Sequence, residues 1–179
     1  MTILSNLKSH KEISILLILI GISLLFEILG WFIVGQSFLL NPQRLFLMIL
    51  QVAVIGTIAI GVTQVIITSG IDLSSGSLVA LTAVIASSLA QAPTARRMMF
   101  ENLDLPFFVP LLVGLSVGAI CGFINGFFVA KMKIPSFIAT LGMMVAARGM
   151  AQLYTQRKPV SMLKDDYLFW GKGITPVVV

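Results

Sequence analysis

The chain has 179 residues, of which 58% are hydrophobic and only 11% charged, with a mean hydropathy of +1.03 and a formal charge of +5. A soluble domain of this size carries about 25% charged residues, so the composition excludes an ordinary water-soluble fold and points to an all-α, polytopic membrane helical bundle. The basic excess lies between apolar runs, where it sets topology and does not bind nucleic acid, and the single cysteine, Cys121, leaves no disulfide framework or cysteine metal site within one chain.

A membrane-crossing helix needs about 20 apolar residues. Ile13–Val34 meets that length, with Glu27 as its one charge, and no small-residue cleavage site follows it, so it is a retained span. Residues 1–12 form a cytoplasmic tail ahead of it, and residues 13–179 form one transmembrane region. Residues 35–42 read as a loop. Residues 45–68 form a second span, softened by Gln51, Thr57, Thr63 and Gln64. Residues 73–90 are shorter and rich in Ser, Thr and Ala. A polar loop with Arg96, Arg97, Glu101 and Asp104 leads to a clear span at 107–130. Pro135 cannot sit inside a helix, so one helix ends before it and another starts after it. That last segment, 137–153, carries Arg148 towards its end. Residues 157–172 are polar, and 174–179 read as the start of a further span, which makes the chain look like the N-terminal part of something longer.

Between the second and third segments stands GIDLSSGS, with an acid, three hydroxyls and two glycines in a greasy chain. Gly70 is expected to close one helix in a left-handed conformation. Asp72 is expected to cap the next by accepting from the N–H of Ser74 or Ser75. Ser74, Ser75 and Ser77 can satisfy other freed backbone groups. The segment after Asp72 either crosses or re-enters. Crossing puts Lys8, Lys11, Lys131 and Lys133 on the cytoplasmic side. Re-entry puts Lys8, Lys11, Arg96, Arg97, Arg157, Lys158, Lys164 and Lys172 there, and the Lys/Arg bias favours it. Broken helices inside a membrane expose backbone polar groups, which only protein or water can satisfy, and transporter sites are often built from them.

Gly114, Gly118, Gly122 and Gly126 recur every four residues in GLSVGAICGFING, a small-residue face on which another helix can pack closely. A contact within the bundle is the preferred reading and a homodimer seam the second. Asn125 sits beside this face, where it can hydrogen-bond across it, and is with Glu27 and Arg148 a candidate polar residue of a pathway. Glu27 either reaches the interface near Trp31 or faces a polar pathway. Arg148 either snorkels to the headgroups or faces an internal polar surface.

No enzyme motif appears. The only histidine, His10, precedes the first span, Asp72 has no second aspartate at its depth, and HExxH, CxxC and GxxxxGK[ST] are missing. There is no catalytic, cofactor or metal set to assign.

The stretches GVTQVIITSGIDLSSGSLVALTAVIAS and INGFFVAKMKIPSFIATLGMMVAARGMAQLYTQRKPVS resemble the membrane permeases of bacterial ABC-type importers of ribose, xylose, galactose and inositol. TSGIDLS, KIPSFIATLGMM and the ARG step carry the resemblance. It places Gly70, Asp72, Ser74, Gly76 and Asn125 in recurrent motif positions, with Asp72 as an architectural acid at a broken helix. Such permeases usually have an apolar residue where this chain has Ser75, and they are nearly twice as long. The resemblance implies a multi-pass inner-membrane subunit without its own ATPase site. Its partners would be a cytoplasmic ATP-binding subunit, a periplasmic sugar-binding protein and a second permease subunit as a homodimer. The reading from a different class is a small helical membrane protein that acts by assembly through the glycine face.

Overall fold

The computed structural model describes residues 10–37, 39–95, 97–100 and 103–172. The tail residues 1–9, the loop positions Arg96 and Glu101, and the segment 174–179 lie outside the described residues. Among the described residues, six α-helices follow one another: α1 (His10–Leu29), α2 (Pro42–Ile67), α3 (Ser75–Leu89), α4 (Phe108–Ala130), α5 (Ser136–Thr155) and α6 (Asp165–Lys172). The fold is all-α, and among the described residues four helical stretches are long and apolar enough to cross a membrane, with α3 as a shorter apolar helix. The polar stretch after residue 156 holds one unexpected element, α6, whose first turn carries Asp165 and Asp166 against the positive end of the helix dipole.

The chain divides into two compact units, residues 1–56 and 57–179. In the first, α1 continues into a π-helical turn at Gly30–Val34 that ends at Gly35 with φ +68°. Asn41 then caps α2, its side-chain oxygen accepting from the N–H of Gln43 at 3.1 Å, and Pro42 takes the first helical position, where no N–H is needed.

In the second unit α3 packs against α4 and α5, and α4 against α5. The order of contacts along the helices gives their directions. Leu73 and Ser88, before and near the end of α3, meet Thr140 and Tyr154 on α5, so α3 and α5 run parallel. Ser74 meets Asn125 near the end of α4, whereas Ala86 meets Gly114 near its start, so α3 and α4 are antiparallel. Leu81, Cys121, Ala147 and Ala151 form the apolar core where the three helices meet. Beyond it the loops after α3 and α5 are tied by a Gln91–Leu163 β-bridge, with the N–H of Ala92 donating to the Met162 carbonyl at 2.7 Å.

These directions correct the re-entrant expectation. α3 passes alongside α5 from one end of the bundle to the other and does not turn back. At 15 residues it is about 22 Å long, shorter than a roughly 30 Å hydrocarbon layer. The third segment is broken at its entry.

Candidate functional site

The break is built from its backbone outward. At the end of α2 the Ser69 N–H donates to the Ile66 carbonyl and the Gly70 N–H to the Val65 carbonyl, both at 2.9 Å. This nested pair is the Schellman pattern, and it requires a left-handed residue at its first position. That residue is Ser69, with φ +58°, and not Gly70 as expected. Gly70 is needed for a different reason. A Cβ there would lie 3.0 Å from Val65 Cγ1 and 3.2 Å from the Val65 carbonyl oxygen.

Residues 71–74 have no backbone ladder to join, and side chains take its place. Asp72 Oδ1 accepts from the Ser74 N–H at 2.7 Å and from the Ser74 hydroxyl at 2.6 Å, a local turn closed just ahead of α3. The helix itself starts at Ser75 and has no side-chain cap from Ser74, so Asp72 acts one step earlier than a standard N-cap. The Ile71 N–H donates to Ser136 Oγ at 3.0 Å and the Leu73 N–H to Thr140 Oγ1 at 3.2 Å, both on the first turns of α5. From α4, Asn125 Nδ2 donates to Ser74 Oγ at 3.1 Å. Ser74 is fully buried and Asn125 nearly so. The result is a polar lattice, Asp72–Ser74–Asn125 with Ser136 and Thr140, at one end of an apolar three-helix core.

The lattice unites Gly70, Asp72, Ser74 and Asn125. Gly76 lies in the first turn of α3, exposed, with open space where a Cβ would stand. Ser136 and Thr140 escaped the reading of single residues. They stand in KIPSFIATLGMM, and the signal was their four-residue spacing just after Pro135, where hydroxyls share one helical face.

Glu27 and Arg148 are not part of this lattice. Glu27 accepts from Trp31 Nε1 at 3.1 Å, from Ser37 Oγ at 2.6 Å and from the Leu39 N–H at 2.7 Å, which ties the connection after α1 back onto the helix. Arg148 is exposed on α5. Among the glycines, a Cβ on Gly114 would lie 3.3 Å from Ala86 Cβ and one on Gly118 would lie 3.5 Å from Thr82 Cγ2, so both face α3. Gly122 and Gly126 have nothing within 4 Å.

The opposite end of the bundle is also polar. Gln91 spends its whole amide there, donating to the Arg97 and Ser161 carbonyls and accepting from the Met99 N–H. Arg97 donates to the Thr155 carbonyl and to Gln156 Oε1. Lys164 Nζ pairs with Asp104 at 2.6 Å. This hydrogen bond and the ammonium charge hold the Asp104 carboxyl below its ordinary value. A cavity of about 620 Å³ lies at this end, lined in part by Phe100, Asp104, Lys164 and Asp166. No group of three or more acidic, His or Cys side chains suited to a metal occurs among the described residues. The chemistry that these two polar ends display is hydrogen bonding and one ion pair.

A family model described as the branched-chain amino acid transport system / permease component matches residues 44–162, which contain the entire lattice. The ribose import permease protein of Escherichia coli is 39% identical over 119 residues, 66% of this chain and 34% of its own length. The galactofuranose transporter permease protein of Escherichia coli is 40% identical over 134 residues, 72% of this chain and 36% of its own length. The galactose/methyl galactoside import permease protein of that organism is 34% identical over 120 residues, 65% of this chain and 36% of its own length. The matches thus span about a third of these curated relatives. No solved structure matches.

Proposed function

We propose, for a chain that belongs to the family of branched-chain amino acid transport system / permease components, that it forms part of the membrane pathway of an ABC-type sugar importer. The observation that carries this reading is the match of 34–40% identity to permeases named for ribose, galactofuranose and galactose, over 65–72% of this chain. The family description names amino acids, whereas these relatives are named for sugars, and the reading follows the relatives.

The chain itself does no chemistry. A separate cytoplasmic ATP-binding subunit supplies the energy, a periplasmic binding protein delivers the sugar, and a second permease subunit completes the pathway as a homodimer. Residues 1–12 stand on the cytoplasmic side and residues 13–179 lie in the transmembrane part of an inner-membrane protein. Asp72, Ser74 and Asn125 set the break in the third segment, so that backbone polar groups at that depth are satisfied by protein and not left to lipid. Arg148 is the polar side chain available to the pathway, since Glu27 is occupied at the connection after α1. The assembly-protein reading is the weaker one, because Gly114 and Gly118 already pack on α3 of the same chain.

The test is uptake into proteoliposomes of the permease with its ATP-binding subunit and binding protein. ATP-dependent accumulation of a labelled pentose or hexose is expected. Accumulation of leucine or valine with no sugar transported would overturn the proposal.

A further inference from the structure

One turn inward from the break, two buried polar atoms lack a protein partner: Ser77 Oγ on α3 and Asn125 Oδ1 on α4. Ser77 is 4% exposed and Asn125 9%. Ser77 lies four residues before Leu81, and Asn125 four residues after Cys121. Leu81 and Cys121 pack in the same core cluster, and residues four apart share a helical face. The two side chains therefore border the core where α3, α4 and α5 meet, beside the lattice.

The orientation of the Asn125 amide follows from the proton count. The one hydroxyl proton of Ser74 goes to Asp72 Oδ1 at 2.6 Å. Towards Asn125 the Ser74 oxygen can then only accept, so Nδ2 faces it and Oδ1 faces away. Ser77 also departs from its neighbours. The hydroxyls of Ser88, Thr140 and Thr155 all donate back to a carbonyl on their own helix, and that of Ser77 does not. An acceptor and a hydroxyl, both buried at the same three-helix core, call for a small neutral ligand with two donors.

We propose that Ser77 and Asn125 together hold one internal water molecule between α3 and α4. Water donates to the amide oxygen and to the hydroxyl at once and can accept the Ser77 proton instead, the pattern that buried waters satisfy. Neither atom carries a charge, so a neutral molecule is enough. The site stands on geometry alone and is independent of the transported solute.

Thermal unfolding of the full chain in detergent reads the proposal through a sign. A hydroxyl with no partner is better removed, whereas a bridged one is missed. Ser77→Ala should lower the midpoint by about 2–6 °C, and in an Asn125→Ala background the same change should do almost nothing. An unchanged or raised midpoint for Ser77→Ala, or additive effects, would overturn it. A structure of the unsubstituted chain that resolves ordered water gives a second test, open even if a variant fails to fold. Density within hydrogen-bond distance of both atoms supports the site, and a direct Ser77–Asn125 bond with no density contradicts it.

Discussion

Asp72 works through one oxygen. Oδ1 accepts both the N–H and the hydroxyl of Ser74, and through Ser74 it orients Asn125. An amide oxygen can do the same without charge. Asp72→Asn should therefore keep most of the stability, while Asp72→Ala, which leaves a buried N–H and hydroxyl short of an acceptor, should cost about 1–3 kcal/mol. Chemical or thermal unfolding of the two variants checks this, and equal losses would mean that the charge matters. At the neighbouring cap the residue types mislead. Gly70 looks like the left-handed residue because glycine adopts that conformation freely, yet Ser69 takes it and Gly70 is there for its missing Cβ. Ser69→Gly should relieve left-handed strain and stabilise by up to about 1 kcal/mol. Gly70→Ala should destabilise, because Val65 cannot withdraw its backbone carbonyl. Composition and spacing locate such a turn but do not show which atom crowds which.

The glycine stripe on α4 shows how far an element can be read from its pattern. A repeat of four residues advances 400° around a helix of 3.6 residues per turn, so the stripe drifts by about 40° at each step. The buried line runs through Pro110, Gly114, Cys121 and Asn125 instead. Gly114 and Gly118 stay close enough to it to meet α3, and Gly122 and Gly126 have rotated away. In unfolding assays Gly114→Leu should destabilise by about 1–3 kcal/mol through overpacking, and Gly126→Leu should leave the isolated chain near its original stability. The break at residues 68–74 and all five apolar segments were legible from hydropathy, Pro135 and GIDLSSGS. The path of α3 was not. The charge count weighs only the two sides of a membrane, whereas the direction of α3 is set by its contacts with α4 and α5. The Lys164–Asp104 pair also carries a pH dependence. Asp104 titrates lower in the folded chain than in the unfolded one. The pair therefore contributes above the ordinary carboxylate range and is lost as pH falls through the lowered value. With Asp104 fully open to solvent the contribution is small and screened by salt. Asp104→Asn should abolish this acid-side dependence and change little at neutral pH.

At the scale of the molecule, sequence and structure meet in one region. Residues 44–162 match the permease family, and the same residues hold the three-helix core and the polar lattice that starts α3. The likeness of TSGIDLS and KIPSFIATLGMM to sugar permeases was visible in the letters, but the contact between them was not, since Ile71 and Ser136 stand 65 residues apart. The central structural claim is that the chain breaks at residues 68–74 and then crosses alongside α5. Single cysteines at Ser69 and Thr94, both exposed, placed in a Cys121→Ala background, test it by labelling with a membrane-impermeant thiol reagent in sealed vesicles of known orientation. The account predicts that the two positions label from opposite faces. Labelling of both from the same face would contradict it.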